Sequence, residues 1–205
     1  MAIDPIQVLV PLALSPAQWA ELHAAYASPP RAYHHWGHIE AVMRHYAEVA
    51  AGPGWTQPRE VALALLFHDA VYEPGRRDNE ARSAELARAT LARWWPDAGI
   101  DHERVAGLIE LTARHGQLAP ADVDPEAALM LDCDMAILAA PAEGFEAYDQ
   151  AIAEEYRGHV PAFLFRINRR RFLRDLLARP RIFLSDYFHQ RLDAAARANL
   201  RRATG

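Results

Sequence analysis

Histidine and aspartate residues stand next to one another in parts of the 205-residue sequence that are otherwise apolar. His34 and His38 are four residues apart, so they would share one face if the segment were helical. His68 and Asp69 follow directly on the apolar run 61–67. An ionisable pair is costly to bury unless another charge or a hydrogen bond compensates it. This pattern predicts a site at which imidazole and carboxylate groups share a cation.

A second acidic pair, Asp132 and Asp134, lies within the apolar stretch 131–138. Lysine is absent from the chain, so a divalent metal ion would be an effective way to neutralise buried carboxylates. Two imidazoles and two carboxylates suit Mn²⁺, Mg²⁺, Fe²⁺, Co²⁺ or Zn²⁺. An ion of this kind would polarise a phosphate and lower the pKa of bound water.

The composition excludes several classes of chemistry. All 22 basic residues are arginine, which rules out a Schiff-base lysine and a P-loop lysine. Cys133 is the single cysteine, so disulfide frameworks and cysteine-rich metal sites are excluded. A net charge of −5 argues against a coat of nucleic acid. No apolar run is long enough for a membrane span and no leader is recognisable, so we expect a cytoplasmic protein without a membrane partner.

The elements that must position these residues are predicted to be helices. Apolar residues recur at intervals of three and four, and no alternating run indicates a strand. We therefore predict an all-α fold of eight to nine helices in one domain, with a core over about residues 26–140 and C-terminal helices over 141–205 packed on it. Caps and prolines predict helices over about 16–28, 35–51, 58–69, 78–95, 101–115, 125–138, 143–156, 161–177 and 185–202.

The order of these residues resembles the HD superfamily of metal-dependent phosphohydrolases, and in particular its small bacterial branch. His38 is followed after a helix-length gap by His68-Asp69, and a further aspartate lies in a later helix. The resemblance extends from about residue 26 to residue 200. It rests on Arg31-x-Tyr33-His34-x3-His38-Ile39, Phe67-His68-Asp69-x-Val71-Tyr72, Asp78-Asn79-Glu80-x-Arg82-Ser83-Ala84, Thr112-x2-His115, Leu131-Asp132-x-Asp134, Glu155-Tyr156 and Ala196-Arg197-x-Asn199-Leu200.

The resemblance implies a metal ion and the residues that bind it. Asp134 is the expected ligand from the later helix. Asp132 is the alternative, either as a ligand or as a carboxylate that orients a histidine. One ion per chain is expected, because no further carboxylate pair occurs at a convincing spacing. The implied metal ligands are His38, His68, Asp69 and Asp134.

The resemblance also implies hydrolysis of a phosphate ester of a nucleotide or a related phosphorylated metabolite. The proton acceptor would be Asp69, or Glu80 acting through a water, with Asp78 as a further candidate. Glu80 and Asp78 could equally be the acids that are favoured at any helix N-terminus. His115 could bind the substrate or a second metal, or could only complement the helix dipole. The substrate-binding candidates are Arg31, His34, Arg82 and His115.

Two other functions remain open at this point. A non-catalytic HD module would bind a nucleotide and signal or scaffold. An alarmone-type pyrophosphohydrolase is less favoured, because that class has adjacent Glu-Asp three residues after the metal-binding aspartate, where this chain has Tyr72-Glu73. The sequence also leaves a homodimer open.

Overall fold

A computed structural model describes residues 5–205. Over this range the protein consists of nine α-helices, short 3-10 helices and turns, without a β-strand, which confirms the predicted all-α class. No helix within 5–205 is long and apolar enough to cross a membrane. The helices are α1 (Pro16–Ala27), α2 (Trp36–Ala51), α3 (Pro58–Phe67), α4 (Asn79–Trp94), α5 (His102–Thr112), α6 (Pro125–Met135), α7 (Ala142–Glu155), α8 (Ala162–Ala178) and α9 (Asp186–Thr204).

The chain divides into two compact units, residues 1–115 and residues 116–205. The first contains α1 to α5 and the second contains α6 to α9. Of the predicted metal ligands, His38, His68 and Asp69 belong to the first unit and Asp134 belongs to the second. Whether the two units form a single domain stays a prediction.

Five of the nine α-helices within 5–205 begin with a side-chain cap. Ser15 accepts the N–H of Gln18 while the Gln18 side chain accepts the N–H of Ser15, which completes a capping box at the start of α1. The predicted end of α5 at residue 115 is wrong, because the helix ends at Thr112. The Thr112 hydroxyl donates to the Ile109 carbonyl at 2.7 Å, and the chain then continues in tight turns.

The first unit is built around α3, whose residues from Glu60 to Phe67 are all buried. Such a helix is apolar around its whole circumference and must be enclosed by others. It packs against α2, α4 and α5. The Tyr26 hydroxyl at the end of α1 donates to the Leu66 carbonyl at 2.9 Å, inside the core. The end of α3 is thus fixed in a dry environment, directly before His68 and Asp69.

In the second unit, α9 packs against α6, α8 and the 3-10 helix Ala136–Ala139. Asn199 of α9 is buried, and its side-chain amide donates to the carbonyls of Leu138 and Ala140, both at 2.8 Å. Neighbouring Arg197 pairs with Asp193 at 2.5 Å and donates to main-chain carbonyls. The Arg197-x-Asn199 motif is therefore accounted for by packing of the second unit.

Candidate metal centre

Helix ends bring the histidine and aspartate side chains of the first unit together. His38 lies in the first turn of α2, while His68 and Asp69 directly follow α3. The His35 ring caps α2 by accepting the Gly37 N–H at 3.0 Å. A Cβ at Gly37 would lie only 2.7 Å from the His35 ring, so glycine is required for this close approach. The cap fixes where α2 begins and therefore where His38 stands.

Three side-chain atoms meet at one point. The Nε2 atoms of His38 and His68 are 3.1 Å apart, and Asp69 Oδ2 lies 3.4 Å from the first and 3.0 Å from the second. Both histidines are buried, and the Asp69 side chain is 14% exposed. Among residues 5–205 these three alone form a group of histidine, cysteine or acidic residues close enough to share an ion. We call them the His-His-Asp triad.

These distances are those of neighbouring ligands around a small divalent ion. With bonds of about 2.1 Å, adjacent donor atoms of an octahedral site are roughly 3.0 Å apart. A tetrahedral site with similar bonds places them roughly 3.4 Å apart. The observed 3.0 to 3.4 Å covers this range. The triad occupies one side of such a site and leaves other positions for water or a substrate oxygen.

A main-chain hydrogen bond orients the His68 ring towards this point. Its Nδ1 lies 2.9 Å from the Leu65 carbonyl oxygen, which can only accept a hydrogen bond, so Nδ1 carries the proton. The Nε2 atom is therefore the ring nitrogen turned towards Asp69 Oδ2. At 3.0 Å these two atoms have a proton or a metal ion between them. A backbone carbonyl behind a histidine is also a common way of orienting a metal ligand.

Asp69 is held in its ionised form. Burial alone would raise the pKa of its carboxyl group, but the charges of His68 and His34 and hydrogen bonds from His38 and His68 outweigh this and lower the pKa well below its ordinary value. A carboxylate is the form that binds a metal ion. The residues present therefore fit the divalent ion implied by the sequence.

His34 lies beside the triad. Its ring stacks on Tyr72 with the centroids 4.0 Å apart, and it stands 5.9 Å from the His38 ring. The Tyr33 ring lies 4.9 Å from the His34 ring and 5.0 Å from the His38 ring. The position of His34 is compatible with the predicted contact to a substrate phosphate, because the His34 ring is half-buried and close to Asp69.

The Arg31 side chain donates hydrogen bonds to main-chain carbonyls, which the sequence did not indicate. One terminal nitrogen donates to the carbonyls of His34 (2.9 Å) and Asp69 (2.6 Å), and the other donates to those of Ala25 (2.9 Å) and Ala70 (3.1 Å). The guanidinium thus ties the end of α1 to the segments that carry His34 and Asp69. This arrangement favours a positioning role for Arg31 over the predicted contact with phosphate.

Replacing Arg31 should weaken metal binding without abolishing it. We expect Arg31→Ala to raise the dissociation constant for Mn²⁺ roughly 10- to 100-fold, as for other residues that orient ligands from behind. Arg31→Lys should not restore affinity, because one ammonium group cannot reach four carbonyls. Arg59→Ala is the matched control, since Arg59 also donates to two main-chain carbonyls, of Ala98 and Gly99, in the same unit. Isothermal titration with Mn²⁺ measures the effect, and equal affinities in the two alanine variants would refute it.

Two residues of α4 fix the segment that follows Asp69. The buried Ser83 hydroxyl bonds both the N–H and the carbonyl of Val71 (3.0 and 3.2 Å). Buried Asn79 makes the equivalent pair of bonds with the Glu73 main chain (3.1 and 3.0 Å). Both residues belong to the motif 78–84, but nothing in the spacing alone distinguishes these supporting roles from catalytic ones.

The acids and the arginine of the same motif have other partners. Asp78 precedes α4 without capping it through its side chain, and instead forms a two-point ion pair with Arg76 at 2.7 Å, which lowers the pKa of the Asp78 carboxyl. Arg82 pairs with Glu73 at 2.5 Å, and both side chains are exposed. Glu80 is half-buried in the first turn of α4. The catalytic and phosphate-binding roles of these residues stay predictions.

His115 lies in the turn after α5 and is half-buried. It is not one of the three residues that meet in the triad. Its predicted role in binding substrate or a second metal therefore stays a prediction.

Asp132 and Asp134 lie on α6 in the second unit and differ in their surroundings. Asp132 is buried and accepts three hydrogen bonds, from the N–H of Leu184 (2.7 Å) and from the N–H and hydroxyl of Ser185 (2.7 and 2.6 Å). Burial raises the pKa of its carboxyl group to about 6, although these hydrogen bonds oppose the change. Asp134 is half-buried. Both Asp132 oxygens accept hydrogen bonds at the start of α9. The roles of Asp134 and Asp132 as metal ligands stay predictions.

Searches against protein-family models, curated proteins and solved structures found no match for this chain. The resemblance to the HD superfamily therefore rests on the motifs of the sequence alone and stays a prediction.

Proposed function

We propose that this protein is a metal-dependent phosphohydrolase of the HD type, acting on a phosphate ester of a nucleotide or a related metabolite. The observation that carries the proposal is the His-His-Asp triad, in which three ligand atoms lie 3.0 to 3.4 Å apart at the ends of two helices. The sequence motifs supply the reaction class, and the geometry supplies a site able to hold the ion.

Under this proposal His38, His68 and Asp69 hold the ion, with Asp134 as the expected fourth ligand. A divalent ion bound there would polarise a phosphate oxygen and lower the pKa of a bound water. The buried position of both imidazoles strengthens these electrostatic effects, because the surrounding protein screens charge less than water does.

The protein side chains would supply proton transfer and positioning. Asp69, held as a carboxylate, can accept a proton from a water at the site, and Glu80 is the alternative acceptor through one intervening water. His34 is the candidate donor to a substrate phosphate, since its ring lies beside the triad. Tyr72 holds that ring by stacking on it.

The decisive experiment combines metal analysis with a turnover assay. We expect the purified protein, loaded with Mn²⁺, to hydrolyse 4-nitrophenyl phosphate or its diester, and to act faster on one member of a panel of nucleotides and phosphorylated metabolites. Turnover should disappear in His68→Ala and persist in Glu85→Ala, which removes an exposed carboxylate of α4.

Other results would favour the alternatives. Stoichiometric metal and tight nucleotide binding without turnover of any phosphate would replace the proposal by a binding module. Selective cleavage of an alarmone pyrophosphate would establish the third function, despite Tyr72-Glu73 at the diagnostic position.

A further inference from the structure

The second unit leaves an apolar helix surface open to solvent. Only Leu173 and Leu176 of α8 are buried. Four other large apolar side chains of this helix are exposed, with Phe163 at 62% and Ile167 at 59% the most open. Apolar residues grouped at helical spacing on a surface mark a site of interaction. The other two exposed residues are Leu164 and Phe172.

Part of this surface forms one wall of a groove of about 1390 Å³ between α7 and α8. Tyr156 and Phe165 pack at its base with their rings 5.2 Å apart, and Arg169 joins the walls by pairing with Asp149 at 2.8 Å. Phe163 and Ile167 line the groove and are one helical turn apart. We call it the α7–α8 groove.

The two walls carry opposite charge. α7 has five acidic residues and no basic one; two of them, Asp149 and Glu154, line the groove, and Glu143 and Glu146 are exposed on the same helix. α8 has five arginines and a single acidic residue, Asp175. Glu146 lies three residues before Asp149 and so continues the acidic face beyond the groove. Arg166 lines the opposite wall and is exposed.

This charge pattern selects the partner. An acidic helix or an anionic lipid surface would be attracted by α8 but repelled by α7. A basic partner would be attracted by α7 but repelled by α8. An occupant must carry both an acidic and a basic helix beside apolar side chains. A second copy of this chain does so, because a two-fold axis places α8 of each copy against α7 of the other.

We propose that the α7–α8 groove is a homodimer interface, in which Phe163 and Ile167 of each protomer insert into the groove of its partner. The proposal does not depend on the function of the metal centre. Large apolar side chains at the centre of an interface contribute most of the affinity, and the surrounding charges select the orientation.

Sedimentation velocity of the full chain over a range of micromolar concentrations tests this interface. We expect a dimer for the unaltered protein, and a dissociation constant at least roughly tenfold higher in the double variant Phe163→Asp/Ile167→Asp. Val8→Asp is the matched control, because Val8 is 79% exposed in the first unit and lies outside the groove. Circular dichroism checks that each variant keeps its helices. A monomer at all concentrations, or a dimer that the double variant leaves intact, would overturn the proposal.

Charge reversal tests the orientation. Arg166→Glu and Glu146→Arg should each weaken the dimer, because each places like charges on α7 and α8 of facing protomers. A mixture of the two variants should form a heterodimer, since both of its contacts then pair opposite charges. Failure of the mixture to associate would overturn the two-fold arrangement. Capture of the unaltered, monomeric protein by phosphatidylserine vesicles through Phe163 and Ile167 would assign the surface to membranes instead.

Discussion

Asp69→Ala should lose the metal ion and all turnover while keeping the helical fold. The substitution removes one of three converging ligand atoms and the carboxylate charge between two imidazoles. Metal content after dialysis should fall from about one ion per chain to near zero, because a ligand of this kind supplies much of the binding free energy. Elemental analysis and the turnover assay measure both effects.

The stability of the same variant separates a metal ligand from a helix-end carboxylate. A ligand that binds only the folded state stabilises it by about 2.7 kcal/mol at a concentration 100 times its dissociation constant. Mn²⁺ should therefore raise the unfolding midpoint of the unaltered protein and of Glu85→Ala but not that of Asp69→Ala. A carboxylate that serves only the helix end would cost about 1 kcal/mol on removal and leave metal content unchanged. Retained metal in Asp69→Ala would reject the site and the function proposed from it.

Asp132→Ala should have the largest effect on stability, at about 3 kcal/mol or more. The N–H groups of Leu184 and Ser185 and the Ser185 hydroxyl would lose their common acceptor. Leu184 is buried and Ser185 is partly buried, and an unsatisfied buried donor costs about 1 to 3 kcal/mol. Ser185 also caps α9 by accepting the Phe188 N–H, so the start of that helix should loosen. Urea unfolding in the presence of a chelator measures this effect without a contribution from metal.

Asp134→Ala is the informative comparison. If Asp134 is the fourth ligand that the resemblance implies, this variant should keep its stability in chelator and lose metal affinity. The reverse pattern, with metal lost in the Asp132 variant at unchanged stability, would exchange the roles of the two aspartates.

The pH dependence gives an independent reading of Asp132. Its pKa is about 6 in the folded protein and near 3.8 in the unfolded chain, so the folded state holds the extra proton between these values. The free energy of unfolding should then rise as the pH falls from 7 to 4, by at most about 3 kcal/mol from this group. Asp132→Asn cannot titrate and should remove that rise, as urea unfolding of both proteins at several pH values would show. Identical pH profiles of the unaltered protein and Asp132→Asn would contradict the raised pKa of Asp132.

Local chemistry made the helices readable from the sequence. Ser15, Asp101, Asp124 and Ser185 each cap the helix that follows, because a cap needs only a side-chain oxygen and the N–H groups two or three residues ahead. The predicted end of α5 at residue 115 was wrong, because the helix ends at Thr112. α4 begins where predicted, but the Asp78 carboxylate pairs with Arg76 and does not cap the helix. The nearness of His68 to Asp69 was likewise evident, since the two are adjacent in the chain.

Only the tertiary structure decided which distant groups meet. His38 lies 30 residues before His68, and the packing of α2 against α3 brings their Nε2 atoms to 3.1 Å. Arg31 binds main-chain carbonyls up to 39 residues away, a partnership that no spacing encodes. Periodicity and capping report on neighbours along the chain, within a turn or two of helix. A long side chain instead bonds to whatever groups the packed helices place within its reach, and those are fixed only when the core closes.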